Sequence, residues 1–275
     1  MPRRELLTSA QRFELFAFPE DESELIPLAT LSKEDFAFVR QHRSDHNRLG
    51  LAVLMIHLRH PGRVLGPSEK PHAPVLGIIA TQLRVSPAVR DLYVQRDETR
   101  REYLQELLAR SGLVQFTRRH YRGLSEFLLP VAMQTIQGIV LACAAVNELR
   151  RQRVLLPPIA ALEKLCVAVA TKAEREVYGL LTEPLTDEQR AALDALLPPY
   201  GERPVSKLAW LRQSPEGPSA KAMIAHIERL KAIRELGLQP DAGHSIHQNR
   251  FLRLAREGGQ TAVYQIEECE TDRRI

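Results

Sequence analysis

Residues 32–57 read SKEDFAFVRQHRSDHNRLGLAVLMIH, and this stretch decides what kind of fold to expect. Ser32 and Asp35 stand three positions apart, as in a capping box, so a helix is predicted from there to about Gln41. A second helix is predicted to begin at Ser44, whose side chain can cap it. Two helices joined by a tight polar turn are typical of a helix-turn-helix unit.

Apolar residues at helical spacing continue on both sides of this stretch, and alternating strand-like patterns are almost absent. The sequence therefore predicts an all-α protein. A helix from Thr8 or Ser9 to about Phe16 would complete a first tri-helical unit over residues 1–65. Gly50 lies inside a predicted helix, where glycine costs roughly 1 kcal/mol relative to alanine, so we expect another helix to pack closely there.

The rest of the chain divides at a polar segment. Residues 66–74 are rich in Pro, Gly and charge and are predicted to be a linker. Helical spacing resumes over 75–118, where Ser86-Pro87 can open one helix and Asp97 another, which predicts a second tri-helical, helix-turn-helix-like unit. Residues 119–275 are predicted to form a helical scaffold with longer helices.

The charge of the chain is unevenly distributed. There are 38 Lys and Arg against 34 Asp and Glu, a formal net charge of +4. Residues 14–35 carry seven acids and one base, whereas residues 40–70 carry six bases, two acids and four histidines. A basic segment beside an acidic one is typical of a polyanion-binding face, and ordinary solvated helix faces are the alternative interpretation.

Patterns for catalysis and cofactor binding are missing from the sequence. It has no GxxxxGK[ST], GxGxxG, GxSxG or HExxH, and its histidine pairs lack a further ligand at metal-binding spacing. We therefore expect no catalytic residue, no metal and no cofactor. Cys143, Cys166 and Cys269 are widely spaced, as in reduced cytoplasmic proteins, and the longest apolar run, 139–146, is too short to cross a bilayer. A cytoplasmic protein without a membrane partner is expected.

The basic residues are the candidate DNA contacts. At the turn and the start of the second helix, arginines can meet phosphates, and Asn47 or Arg48 can reach a base edge. Each group of basic residues also has an interpretation without DNA. Those in the first unit would form a solvated helix start, and those near residues 96–101 would form ion pairs within one helix. Those near residues 150–153 would lie at a helix end, where the helix dipole favours positive charge. The residues predicted to contact DNA are Arg40, Arg43, His46, Asn47, Arg48, Arg96, Arg100, Arg101, Arg118, Arg119, Arg151 and Arg153.

Several of these strings resemble the N-terminal signature of Tn3-family transposases, in the region usually described as a domain of unknown function. RSDHNRLGLA at 43–52 carries the resemblance, as does LRVSP at 83–87 leading into YVQRDETRR at 93–101. Further similar strings follow in the same order, so that the resemblance covers almost the whole chain. They are 155–164, LTDEQRA at 185–191, WLRQSP at 210–215, 236–238 and 256–258.

The resemblance implies helical domains that bind the terminal inverted repeats of a transposon, followed by a scaffold that leads into a dimerisation region. In the family, these parts precede a DDE-type, metal-dependent nuclease, which has no counterpart here, and residues 267–275 depart from the family pattern. We therefore expect a non-catalytic, sequence-specific binder of double-stranded DNA that can form a homodimer through its C-terminal helical part. A repressor of transposition, or a dimerisation module with the helix at 157–181 as its contact face, are the alternatives.

Overall fold

A computed structural model describes residues 6–66, 69–93, 97–199, 205–214, 217–239 and 241–274. Within these ranges the ordered elements are helices, and no β-strand occurs among them. The prediction of an all-α fold is therefore confirmed. The chain divides into two compact units, Met1–Leu128 with Gln137–Val167, and Leu129–Ile136 with Ala168–Ile275.

In chain order the α-helices are α1 (Ser9–Phe16), α2 (Glu22–Ala29), α3 (Lys33–Arg40), α4 (Asp45–Arg59), α5 (Ala73–Leu83), α6 (Arg90–Tyr93), α7 (Asp97–Ser111), α8 (Arg118–Ala132), α9 (Gly138–Arg151), α10 (Ile159–Thr182), α11 (Asp187–Asp194), α12 (Lys207–Leu211), α13 (Ala220–Glu235), α14 (Gln248–Gln260), α15 (Val263–Glu267) and α16 (Thr271–Arg274). Short 3₁₀ turns lie at Pro87–Val89 and Ala242–Ser245. Helices α8 and α10 contribute residues to both units.

Side-chain caps begin helices where the sequence predicts them. Thr8 forms a capping box at α1, and Ser32 forms one with Asp35 at α3. Each cap contributes about 1 kcal/mol. Helix α2 is not evident from the sequence: Asp21 caps it, but Pro27 lies inside it and interrupts the pattern that marks a helix.

The turn between α3 and α4 differs from the predicted cap. Ser44 has φ 66° and ψ 144°, and its hydroxyl donates to the carbonyl oxygen of Arg43 at 2.5 Å. It accepts no hydrogen bond from an amide of α4. The prediction that the Ser44 side chain caps α4 is therefore wrong, because the hydroxyl hydrogen-bonds to the preceding peptide instead. The helix itself begins at the predicted place.

Helix α4 is the central helix of the first unit. Every residue from Leu49 to Leu58 is buried, because α2, α3, α5, α6 and α7 all pack against α4. The core around it includes Phe38 as well as Val75 and Leu107, which lie in the segment predicted as the second tri-helical unit. Side chains of both predicted units thus share one core.

Helices of the second compact unit, Leu129–Ile136 with Ala168–Ile275, also begin at capping residues. Thr186 forms a capping box at α11, and Ser219 caps α13. In contrast to α4, α13 buries only Ala232 and leaves one row of large apolar side chains exposed. The members of this row are Met223, Ile224, Ile227, Leu230 and Ile233.

Candidate nucleic-acid interface

The turn between α3 and α4 presents two predicted DNA contacts to solvent. Arg40, in the last turn of α3, and Arg43, within the turn, are both exposed. The guanidinium of Arg40 lies over the ring of Phe36, with its central carbon 5.7 Å from the ring centroid. Both charges are therefore accessible to an anion from outside the fold.

Arg48, on the first turn of α4, is partly engaged in holding this turn together. Its Nε donates to the carbonyl oxygen of His42 at 2.9 Å, and its Nη1 lies 3.5 Å from the carboxylate of Asp45. The side chain is 37% exposed. Arg48 thus combines a structural contact with a partly accessible charge.

His46 and Asn47 are half-buried on the same helical turn. The Nε2 atom of His46 lies 3.3 Å from the hydroxyl oxygen of Ser44. Because Leu49 to Leu58 are buried, a ligand can reach α4 only at its two ends. The accessible N-terminal end is the part that carries the predicted contacts.

His42 joins the turn to α7. Its Nδ1 lies 3.2 Å from the carbonyl oxygen of Phe38, and its Nε2 lies 3.1 Å from the carboxylate of Glu106. The ring also meets the ring of Tyr103 edge-on, with centroids 4.6 Å apart. The predicted contacts at the α3–α4 turn and those on α7 therefore belong to one compact unit.

The arginines predicted near α7 differ in their surroundings. Arg96 lies outside the described residues. Arg100 is half-buried and donates from Nη2 to the carbonyl oxygen of Leu65, which fastens α7 to the chain after α4. Arg101 is exposed. Of the described pair, Arg101 is the one whose charge faces solvent.

Arg118 and Arg119 begin α8, and both are exposed. Cations at a helix N-terminus oppose the helix dipole and cost a few tenths of a kcal/mol each. The backbone amide of Thr117 donates to the ring of His120 at 3.1 Å, which satisfies one donor at this helix start. An external anion would relieve the unfavourable charge that the two arginines place there.

Arg151 and Arg153 lie at the end of α9. Arg151 is 73% exposed and donates two hydrogen bonds to Glu148, at 2.8 and 2.7 Å. Arg153 has φ 57° and donates from Nη2 to the carbonyl oxygen of Ser111 at 2.7 Å. Arg151 is thus matched by a neighbouring acid, whereas Arg153 bonds to a neutral carbonyl and keeps its full charge.

A cleft of about 730 Å³, called the polar cleft below, opens among the ends of α3, α4, α7 and α9, and polar and apolar side chains share its lining. Sequence analysis predicts Arg153 as a contact and places Arg150 in the same basic segment, but it misses Arg59 and Arg110, because they are distant in the chain and no spacing pattern joins them. The charged residues that line the cleft are Arg59, Arg110, Arg150 and Arg153, with Glu34 and Asp35.

Asp35 forms an ion pair with Arg59 in the wall of this cleft. Its side chain is 3% exposed and accepts hydrogen bonds from Nη1 and Nη2 of Arg59, at 2.8 and 2.5 Å. The backbone amide of Ser32 adds a third bond at 2.9 Å. Burial disfavours the carboxylate, but the hydrogen bonds from Arg59 and Ser32 outweigh it and hold the pKa of Asp35 below its usual range.

A second cleft, of about 960 Å³, is mainly aromatic and aliphatic and includes Phe13, Phe16 and Phe18 in its lining. His57 lies in its wall, 2% exposed, and burial lowers the pKa of this imidazole to about 4. Beside it, hydrogen bonds from Arg63 hold the pKa of Glu69 at about 2. The aromatic residues of α1 are close in the sequence, but no sequence signal points to the cleft as a whole, because its other walls come from segments that are distant in the chain.

Two further features are absent from the part of the chain that the structure describes. No three His, Cys, Asp or Glu side chains are grouped there as potential metal ligands. Over the same ranges, no helix is both long enough and apolar enough to span a membrane.

Comparison with known proteins gives both a family and close relatives. Residues 6–169 match the family described as "Domain of unknown function (DUF4158)". Over 274 residues, which cover the whole chain, the sequence is 43% identical to the transposase for transposon Tn21 from Escherichia coli and 41% identical to that for transposon Tn501 from Pseudomonas aeruginosa. The transposase for transposon Tn1546 from Enterococcus faecium is 32% identical over 273 residues, 98% of the chain.

The chain spans 28% of the length of each of these relatives. Similarity therefore extends along the whole chain to one part of several transposases, and the predicted resemblance to the N-terminal region of Tn3-family transposases is confirmed. The family match alone covers more than half of the sequence. The chain belongs to the DUF4158 family.

Proposed function

We propose that this chain binds duplex DNA at the terminal inverted repeats of a transposon, as the N-terminal part of a transposase. The observation that carries the proposal is the exposed pair Arg40 and Arg43 beside the accessible first turn of α4. A helix-turn-helix unit brings these elements to DNA, since the N-terminal residues of its second helix contact base edges. The relatives that match this chain over its whole length are transposases, which supports duplex DNA as the partner.

The burial of α4 limits how it can meet DNA. Because Leu49 to Leu58 are covered by other helices, α4 cannot lie lengthwise in a groove and must approach with its N-terminal end. That end carries the positive pole of the helix dipole, which favours phosphate. Asn47, on the same turn, is suited to reading a base, because a side-chain amide pairs with the adenine edge in the major groove.

Exposed arginines elsewhere in the first unit extend the proposed interface. Arg101, Arg118 and Arg119 have solvent-facing charges and are proposed as phosphate contacts. Phosphate contacts supply most of the affinity and make it strongly salt-dependent, whereas base contacts choose the site. Arg48 and Arg100 also belong to the proposed interface, with some of their N–H donors used by backbone carbonyls.

We assign the chain no nuclease activity of its own. Binding without cutting is the function expected of a DNA-binding part within a larger transposase. The same property would make a free-standing chain a repressor, because it would occupy transposon ends without processing them. A transposition assay with full-length transposase tests the repressor role. If the added chain competes for the transposon ends or for transposase subunits, the transposition frequency should fall.

Homodimerisation is a second proposal, and the exposed apolar row on α13 favours it. Exposed apolar patches of this kind mark protein contacts, and a two-fold dimer needs a self-complementary surface, which an exposed apolar row on one helix can supply. Light scattering should give a dimer mass for the wild type and a monomer mass for Ile227→Glu. The control Arg256→Glu reverses an exposed charge on another helix, α14, and should stay dimeric.

The experiment that tests DNA binding is a fluorescence-anisotropy titration. It compares a labelled terminal inverted repeat with a scrambled duplex of the same composition at two salt concentrations. We expect a clear preference for the repeat, weakening steeply with salt. Equal binding to both duplexes would contradict sequence-specific recognition. No binding to either duplex at low salt would contradict DNA binding altogether and favour the protein-contact alternative.

A further inference from the structure

We infer that the polar cleft lined by Arg59, Arg110, Arg150 and Arg153 is a phosphate-binding site for the backbone of a nucleic acid. The inference rests on the proposed DNA binding and adds a second contact region to it, away from the α3–α4 turn. The cleft draws its arginines from the last turns of α4 and α7 and from the end of α9.

The charge balance of the cleft is positive. Four arginines line it against two acids, Glu34 and Asp35. Asp35 already accepts both terminal nitrogens of Arg59 and the amide of Ser32, so its charge is matched inside the wall of the cleft. This leaves three arginines against Glu34. Like charges gathered in a concave surface raise the local potential and attract a counter-charge.

The arginines of the cleft are held in place before any ligand arrives. Arg150 donates from Nε and Nη2 to the carbonyl oxygen of Pro61, at 3.2 and 2.9 Å. Arg153 is anchored on the Ser111 carbonyl, and Arg110 lies over the ring of Phe38 with its central carbon 4.7 Å from the centroid. Binding an anion here therefore costs less side-chain entropy than at mobile arginines.

Each anchored guanidinium keeps donors for a ligand. A guanidinium carries five N–H groups, and the contacts to Pro61 and Ser111 use two in Arg150 and one in Arg153. Arg110 is exposed, and its ring contact leaves its N–H groups available. Planar forks of this kind match the oxygens of a phosphate.

The size of the cleft favours a polymer over a free ion. Its volume of about 730 Å³ is many times the roughly 30 Å³ that one water molecule occupies in the liquid. A lone phosphate would fill only a small part of this space. A nucleic-acid strand carries phosphates at regular intervals together with sugars that occupy the space between them.

The test measures duplex binding of the full 275-residue chain between about 50 and 200 mM salt. We compare the wild type with the double variant Arg110→Gln/Arg153→Gln. If both arginines contact phosphates, the slope of log affinity against log salt should become shallower by about two, one for each lost contact. Affinity for the repeat and for the scrambled duplex should fall by the same factor, because phosphates carry no sequence information.

Two controls separate charge from folding. Arg256→Gln removes an exposed arginine of the second unit and should leave the salt slope unchanged. The variant Arg110→Lys/Arg153→Lys keeps both charges and should retain most of the slope. Because Arg153 anchors a carbonyl, thermal unfolding is measured for every variant, and the single variant Arg110→Gln, which loses no described hydrogen bond, should still lower the slope by about one.

The outcomes distinguish this inference from the proposed function. If the wild type binds duplex and the double variant keeps the same slope, the cleft does not contact phosphates, while DNA binding stands. If the wild type binds no duplex at low salt, both fail. Calorimetry with pyrophosphate tests whether the cleft binds a free anion instead. Suppose that the wild type binds pyrophosphate, that the double variant does not, and that both have the same salt slope for duplex binding. The cleft would then be a small-anion site, which would overturn the inference.

Discussion

The ring of Tyr93 lies directly over the backbone of Gly50, so closely that a Cβ atom at position 50 would be 2.2 Å from Cγ of that ring. A separation this short is impossible for real side chains, so α4 and α6 can pack in this way only with glycine at the contact. The relationship explains why a buried helix carries a residue that costs roughly 1 kcal/mol relative to alanine. It also confirms the close packing expected at this position.

Replacing this glycine should therefore destabilise the protein. Gly50→Ala should lower the free energy of unfolding by about 1–3 kcal/mol, as overpacking of a core does. Urea denaturation measures the change, and Gly123→Ala is the matched control. Gly123 lies in α8 with open space around it, so alanine there should raise stability by roughly 0.5–1 kcal/mol. Equal stability of Gly50→Ala and the wild type would contradict the observed packing.

Local features of this fold can be predicted from the sequence, whereas features formed by distant residues cannot. The capping box of Ser32 and Asp35 and the apolar spacing of α4 lie within a few residues, so pattern alone locates these helices. Asp35 and Arg59 are 24 positions apart, and only the packing of α3 on α4 brings them together. The polar cleft is hidden from sequence reasoning for the same reason.

Candidate contacts show the same limit at the level of single side chains. The sequence marks Arg48 and Arg43 alike as basic residues beside a turn. In the fold, Arg48 donates to the carbonyl of His42, whereas Arg43 is exposed. Composition and spacing predict charge, but the path of the backbone decides which donors remain for a ligand.

The buried pair of Asp35 and Arg59 gives a second prediction. Arg59→Met should lower the free energy of unfolding by about 2–3 kcal/mol, because it leaves a buried carboxylate without its partner. The loss is less than for a fully buried pair, since the Arg59 side chain is 45% exposed. Lys172→Met, which breaks an exposed pair with Glu176, is the control and should cost less than about 1 kcal/mol.

A double variant checks that the two residues act through each other. Asp35→Asn combined with Arg59→Met should cost less than the sum of the single changes, because the uncompensated charge is gone. Additive losses in urea denaturation would mean that Arg59 stabilises α4 by some other contact.

Burial of His57 makes stability depend on pH. Its pKa is about 4 in the folded protein, against 6.5 for an unperturbed imidazole, so between these values the unfolded chain binds more protons. Stability is therefore fully present above pH 6.5 and is lost as the pH falls toward 4. From about pH 7.5 to about pH 5 we expect a loss of about 2 kcal/mol from this residue. Burial also lowers the pKa of His60, which adds in the same direction.

Urea denaturation across that range measures the effect. His57→Leu should be less sensitive to pH than the wild type, whatever its stability at neutral pH. Working above about pH 5 avoids the range in which Asp35 and Glu69, whose pKa values are lowered on folding, lose their own contribution. An unchanged pH dependence in His57→Leu would show that other groups titrate on unfolding.

Arg48 should affect both folding and binding. Arg48→Ala removes a hydrogen bond to the His42 carbonyl and should lower the free energy of unfolding by about 1 kcal/mol. If Arg48 also reads a base, affinity for the inverted repeat should fall by about 1–3 kcal/mol with a loss of selectivity. Anisotropy titrations at a temperature where the variant remains folded separate the two effects. Equal losses on repeat and scrambled duplex would reduce Arg48 to a phosphate contact.

Arg43 and Asn47 stand close together in the chain and should nevertheless behave differently on DNA. Arg43 is exposed and is proposed to meet phosphate, so Arg43→Ala should weaken binding to repeat and scrambled duplex alike and make the salt slope shallower by about one. Asn47 is proposed to read a base, so Asn47→Ala should cost about 1–3 kcal/mol on the repeat and little on the scrambled duplex. Arg256→Ala, in the second unit, is the control for both. If Asn47→Ala left the preference for the repeat intact, the first turn of α4 would not read sequence, and specificity would have to come from another part of the interface.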